Sequence, residues 1–169
     1  MALSAEETAQ WYPRLFRTAL RLTGSVEDAA DVTQQAFCRA IQNWHRYNGR
    51  ALRTTWLYRI VINCVRDWAR QRCANRRQPL DEWEIVPVND SGSPVVRRLE
   101  QEEQMAALRK AIEELPETVR RAFVATVLDG FSYQEAAEIL DVPVGTIASR
   151  VSTARKGLLE IMRNAFPEA

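Results

Sequence analysis

Apolar residues in this chain recur every three to four positions and almost never alternate, so the period is helical from end to end and strands are nearly absent. The fold class this predicts is all-α. A first helix is expected over residues 5–22, ending at Gly24. Ser25 then opens a capping box with Asp28 three positions on. The helix that follows is read with Val26, Ala30, Thr33, Phe37, Ile41 and Trp44 inward, and with Asp28, Asp31, Gln35, Cys38 and Gln42 outward. Residues 47–54, "YNGRALRT", form a loop that turns at Gly49.

The next stretch, "WLYRIVINCVRDWARQR" over residues 56–72, sorts on a helical wheel into two sides. Leu57, Ile60, Val61, Cys64 and Trp68 are apolar, and Arg59, Asn63, Arg66 and Arg70 make a stripe opposite. Residues 46–77 hold nine arginines and one acid, a net of +8, whereas residues 78–118 hold ten acids and four bases, a net of −6. The overall charge of +1 hides this partition. Two basic blocks with an acidic one between them point to two contacts with a polyanion. A solvated charged surface is the plain alternative, but the arginines of the first block converge on one helix face.

Residues 78–94, "QPLDEWEIVPVNDSGSP", carry three prolines and a glycine among acids and read as a flexible linker. A helix over 95–115 follows, with Pro116 at the first position of the next helix, which runs to Gly130. The chain thus divides into two small helical domains, residues 1–77 and 97–169, joined by a linker at 78–96.

The second domain carries the most specific local pattern. Ser132 and Glu135 form a capping box before a short helix with Ala136, Ala137, Ile139 and Leu140. "DVPVG" turns the chain, and a longer helix starts near Gly145. This is a helix-turn-helix. In the longer helix Ile147, Val151, Ala154 and Leu158 face inward. Gly145, Ser149, Ser152 and Lys156 face away, with Thr153 beside them and Arg150 and Arg155 flanking. Small polar groups at the centre approach base edges, and arginines at the margins reach phosphates.

Other chemistry finds little support. His45, the sole histidine, sits at a helix end; Cys38, Cys64 and Cys73 have no metal-ligand spacing; and no glycine-rich phosphate loop occurs. The expectations are no catalytic residues, no metal and no cofactor. No secretion signal or membrane-spanning run is read, and a reducing cytoplasm is expected. A dimeric repressor with a helical sensor would use the same helix-turn-helix, but the basic helix of the first domain has no place in it.

Across nearly its full length the chain resembles the extracytoplasmic-function group of bacterial RNA polymerase sigma factors. The resemblance rests on "DAADVTQQAFCRAIQNW", "TTWLYRIVINCVRDWARQR" and "LPETVRRAFVATVLDGFSYQEAAEILDVPVGTIASRVSTARKGL", in that order. It implies a promoter-directing, stress-responsive transcription factor that binds the β′ clamp helices and β flap of core RNA polymerase and promoter DNA, and that an anti-sigma factor restrains. The residues it implies for the polymerase are Asp31, Gln34 and Gln35, the last replacing the family's usual glutamate, with Val32 as an outward apolar contact. For the minus-ten element it implies the loop residues Asn48, Arg50 and Arg53, then Trp56, Arg59, Asn63, Arg66 and Arg70. Trp56 and Tyr58 serve either as stacking surfaces or as packing at the helix end. For the minus-thirty-five element it implies Thr146, Ala148, Ser149, Arg150, Ser152, Thr153, Arg155 and Lys156. Asp141 replaces a glycine in the turn and is expected to take the left-handed conformation there.

Overall fold

The computed structural model describes residues 5–49, 51–75 and 95–165, and every regular element among them is helical. The first domain comprises α1 (Ala5–Thr23), α2 (Val26–Gln42), a single 3-10 turn (Trp44–Arg46) and α3 (Arg53–Asn75). The second comprises α4 (Val95–Glu114), α5 (Glu117–Phe123), α6 (Tyr133–Leu140) and α7 (Val144–Ala165). Arg50 and residues 76–94, which hold most of the expected linker, lie outside the described residues.

In the first domain α2 packs between α1 and α3. The wheel is out of phase for α2. Val26 and Ile41 are exposed, and the buried set is Ala29, Val32, Thr33, Ala36, Phe37 and Ala40. The cause is size: Ala29, Ala36 and Ala40, with Ala19 of α1, are fully or almost fully buried and let the helices approach closely, so small residues mark the inner face. Val32, expected on the outer side, is 1% exposed and belongs to the core. Its assignment as a partner contact is therefore corrected.

The first capping box is half formed. Ser25 accepts from the Asp28 backbone N–H at 3.3 Å, but the Asp28 carboxylate turns to α3 instead. There it accepts from the Trp68 indole at 3.0 Å and from Arg72 at 2.9 Å, and the Arg72 guanidinium also lies 5.2 Å from the Trp68 ring centre. An acid read as an outer residue thus ties the start of α2 to the C-terminal half of α3.

In the second domain Pro116 stands just before α5 as its N-cap, one position earlier than expected. The helix then widens into a π-turn over Val124–Leu128 and stops at Gly130, whose φ of +80° suits a residue without Cβ. The second capping box is complete: the Ser132 backbone N–H donates to the Glu135 carboxylate at 2.9 Å, and the Glu135 N–H donates to Ser132 Oγ at 3.2 Å. These bonds from Ser132, side chain and backbone, hold the Glu135 carboxyl below its usual range. A group lowered in this way supports the fold above its unfolded pKa, and that support is lost as pH falls through the folded value. Ser132→Ala is expected to cost about 1 kcal/mol and to weaken this acid dependence, measured as the thermal midpoint from neutral pH down through the carboxylate range.

Asp141 ends α6 at φ 55° and ψ 52°, the left-handed conformation expected of it. Ile147, Val151, Ala154 and Leu158 of α7 are all buried, as the wheel requires. Ile147 and Val151 pack with Ala122, Ala125, Ala136 and Ala137, whereas Ala154 and Leu158 join Ala111, Ile112, Leu115, Val119 and Phe123.

The two domains touch. Helix α3 lies against α6, and Val124 and Ile139 of the second domain join the buried cluster of the first. Tyr58 is 4% exposed, its ring centre 4.5 Å from that of Phe131 in an edge-to-face arrangement. Packing is thus the role the structure gives Tyr58.

Candidate nucleic-acid and polymerase interface

Three surfaces gather the expected site residues. The first is the solvent side of α2. Asp31, Gln34 and Gln35 are exposed and line a shallow depression with Cys38 and Arg39. Arg39 was not foreseen. It is held by Asp67 of α3 at 2.7 Å, and that bond, its largest influence, raises the guanidinium pKa further. The depression is therefore a mixed surface: one free acid, two amides that can donate or accept, and a cation with a fixed direction.

The second surface is the exposed side of α3 and the loop before it. Arg59 and Arg70 are exposed, and Asn63 and Arg66 are half-buried. Arg66 donates to Asn63 Oδ1 at 2.7 Å, which fixes the amide so that its NH2 remains for an incoming acceptor. Arg53 pairs with Glu7 at 2.6 Å and lies 5.6 Å from the Trp44 ring centre. Trp44, Tyr47 and Trp56 form a cluster with ring centres 5.4–5.7 Å apart, all three half-buried. Trp56 is therefore both packed at the helix end and partly available. Trp44, read as an inward residue of the preceding helix, shares that position with Tyr47, the first residue of the loop, and their 44/47/56 spacing around the loop was the signal. Asn48 is exposed beside them.

The third surface is the outer side of α7. Ala148, Ser149, Ser152, Thr153, Arg155 and Lys156 are exposed, and Thr146 and Arg150 are half-buried at the margin. Ser149 donates to the Thr146 carbonyl and Thr153 to the Ser149 carbonyl, each at 3.0 Å. With their protons used inside the helix, both hydroxyls face outward as acceptors, suited to amino groups on base edges.

Charge at the domain boundary is not balanced. Arg121 of α5 is 13% exposed, with Glu117 3.4 Å away. Burial pushes its pKa down, Glu117 works against this, and the positive charges of Arg66, Arg150 and Arg120 lower it further. The Nε atoms of Arg66 and Arg121 are both buried without a partner. Asp129, in contrast, is well held. Its side chain is 4% exposed, and it accepts from Thr18 Oγ1 at 2.8 Å and from Arg21 at 2.5 Å. Burial raises its pKa, and the Thr18 and Arg21 contacts oppose that rise.

Among the described residues no group of three or more His, Cys, Asp or Glu side chains is placed to hold a metal, and no helix is long and apolar enough to cross a membrane. Cys64 is buried, and burial raises its thiol pKa; Cys38 and Cys73 are exposed.

Comparison with known proteins bears on all three surfaces. Residues 8–74 match the model of sigma-70 region 2, and residues 105–158 match that of sigma-70 region 4. The chain is 32% identical over 159 residues to the ECF RNA polymerase sigma factor SigE of Mycolicibacterium smegmatis, an alignment covering 93% of this chain and 60% of that protein. It is 34% identical over 140 residues to the ECF RNA polymerase sigma-E factor of Escherichia coli K12, covering 78% of this chain and 72% of that one. The fold is similar to that of the sigma factor RpoE of Bartonella quintana in complex with the anti-sigma factor NepR, with a TM-score of 0.76, 26% identity, and coverage of 94% of this chain and 95% of that one. CnrH, solved with the cytosolic domain of CnrY, shares the fold at a TM-score of 0.68 and 24% identity, covering 94% of this chain and 86% of its own. Two matched regions in the expected order, and relatives above 30% identity along most of the chain, place it in a non-enzymatic class that directs RNA polymerase to promoters: the chain belongs to the ECF sigma factors.

Proposed function

We propose that the first domain, residues 1–77, docks on core RNA polymerase and handles the minus-ten element, and that the second, residues 97–169, reads the minus-thirty-five element. The observation that carries this reading is the pairing in one chain of an exposed small-polar recognition face on α7 with a stripe of Arg59, Asn63, Arg66 and Arg70 on α3. A repressor needs only the first of these.

Asp31, Gln34 and Gln35 offer the clamp helices of β′ their charge and amides, with Arg39 beside them. Residues 78–96 span the polymerase between the domains, and the second domain meets the β flap. At the minus-ten element, extruding a base costs a few kcal/mol, which better binding of the separated strand must offset. Trp56, with Trp44 and Tyr47, offers stacking surface; Asn48, Arg50, Arg53 and Asn63 offer polar contacts; Arg59, Arg66 and Arg70 hold phosphates. At the minus-thirty-five element, Ser149, Ser152 and Thr153 accept from base amino groups, Ala148 gives a methyl contact, and Thr146, Arg150, Arg155 and Lys156 hold the backbone. The small side chains leave part of the readout to DNA shape. The protein acts in the cytoplasm, in a stress response, under an anti-sigma factor. The complex of RpoE with the anti-sigma factor NepR supports that last point by likeness.

The reading is tested by co-elution with purified core polymerase. The native chain is expected to travel with core, and Asp31→Ala to lose affinity by about tenfold, the size of one desolvated charge contact. Unchanged co-elution of Asp31→Ala removes this residue from the polymerase contact.

A further inference from the structure

The positive charges where the two domains meet lack matching anions. The side chain of Arg121 on α5 is 13% exposed, and its ion-pair partner, Glu117 Oε1, stands 3.4 Å from a terminal nitrogen. At that distance the pair is an electrostatic contact and not a good hydrogen bond. Glu117 Oε1 and Arg121 Nε are both buried with no hydrogen-bond partner, and so is Nε of Arg66 on α3. The charges of Arg66, of Arg150 on α7 and of Arg120 all weigh against Arg121, with Glu117 in its favour. Arg120, whose Nε is also unpaired, is committed elsewhere: it donates to the Glu113 carbonyl at 3.2 Å and is favoured by the charges of Glu113 and Glu117. Among the described residues Arg66 bonds only to Asn63, and Arg150 makes no side-chain hydrogen bond or ion pair.

Enclosed guanidinium groups that lack both a balancing charge and an acceptor call for an anion. We propose that Arg66, Arg121 and Arg150 form a binding site for a small free phosphate anion, inorganic phosphate or diphosphate, at the boundary between the two domains. Guanidinium forks from three helices suit a ligand with several oxygens and more than one negative charge. A phosphate supplies both; chloride has no oxygens, and a single carboxylate, as Glu117 already shows, leaves the donors unfilled. With most of Arg121 enclosed, the opening suits a small free anion and not a strand of nucleic acid. The site stands apart from the promoter contacts proposed above for Arg66 and Arg150, and its test uses neither polymerase nor promoter.

Calorimetric titration and thermal melting of the full chain, in chloride buffer at fixed ionic strength, test the site. Inorganic phosphate and diphosphate are each expected to bind once per chain and to raise the thermal midpoint, and the tighter of the two names the ligand. Arg121→Gln and Arg150→Gln should each weaken that binding by about tenfold or more. Arg121→Gln also separates a ligand site from a structural role. Without phosphate it should melt no lower than the native chain, because repulsion is relieved, yet gain less when phosphate is added. Arg163→Gln makes the same charge change on α7 about 20 Å further along the helix and should keep native affinity. Arg150→Gln decides the matter if circular dichroism shows Arg121→Gln unfolded. Titrations that do not saturate overturn the site. Equal weakening in Arg163→Gln shows general attraction to a basic surface and overturns it too. Saturation by a mixed-sequence single-stranded oligonucleotide, but by neither free anion, gives the arginines to a nucleic-acid backbone instead. A folded Arg121→Gln chain that melts lower in chloride contradicts the unbalanced charge on which the site rests.

Discussion

Replacing Arg59 and Arg66 together by alanine is expected to lower open-complex formation by about ten- to a hundredfold while core binding stays within about twofold. Each guanidinium on a phosphate contributes on the order of 1 kcal/mol or more. Losing both also flattens the salt dependence of single-strand binding by about 1.4 in log–log slope. Neither residue supports the fold of the first domain: Arg59 is exposed, and Arg66 bonds only to Asn63 among the described contacts. Permanganate reactivity of thymines in the minus-ten region measures the effect. Equal reactivity in the double variant shows that the stripe does not hold the opened strand. Loss of core binding in parallel shows that it belongs to the polymerase interface. In the free chain the Arg59 change has an added consequence, since it removes the bonds to the Glu138 carbonyl.

Ile147→Ala carries the largest expected effect on stability. Ile147 is fully buried beneath the recognition helix, packed with Val151 and the alanines of α5 and α6. Truncation leaves a cavity that alanine neighbours cannot collapse to fill, so a loss of about 2–4 kcal/mol is expected, read as a lowered denaturation midpoint. Ser149→Ala, two residues on and on the solvent side, is expected to change stability by less than about 0.5 kcal/mol and to lose about 1–3 kcal/mol of discrimination at one base pair. If instead Ser149→Ala binds all promoters as before, the reading face is misassigned along α7.

The same two residues show what the sequence made legible. The α7 wheel has large apolar residues inside and small polar ones outside, so its phase is unambiguous, and Asp141 and the Ser132–Glu135 box mark its boundaries by backbone chemistry. In α2 the signal inverted. Close packing there depends on alanines, and a wheel weighted by large apolar side chains turned toward Val26 and Ile41 and placed Val32 outside. Arg39 was missed because its partner Asp67 lies 28 residues away, and Trp44 because one of its ring partners, Trp56, comes from the far side of a loop.

The domain boundary was not legible at all. Thr18 and Asp129 are separated by 111 positions, and Tyr58 and Phe131 look like the core residues of their own domains. A wheel drawn for α3 alone allows one buried side, yet Tyr58 is nearly as buried as Leu57 and Val61, with Phe131 of the second domain packed against it. The π-turn that positions Asp129 likewise has no counterpart in a period of 3.6.

Run-off transcription with core polymerase and fragments of the host genome measures whether this chain directs initiation through two promoter elements. Discrete transcripts are expected only when this protein is added, from promoters sharing two sequence elements about 25 base pairs apart. The absence of any dependent transcript, from a chain that still binds core, contradicts it.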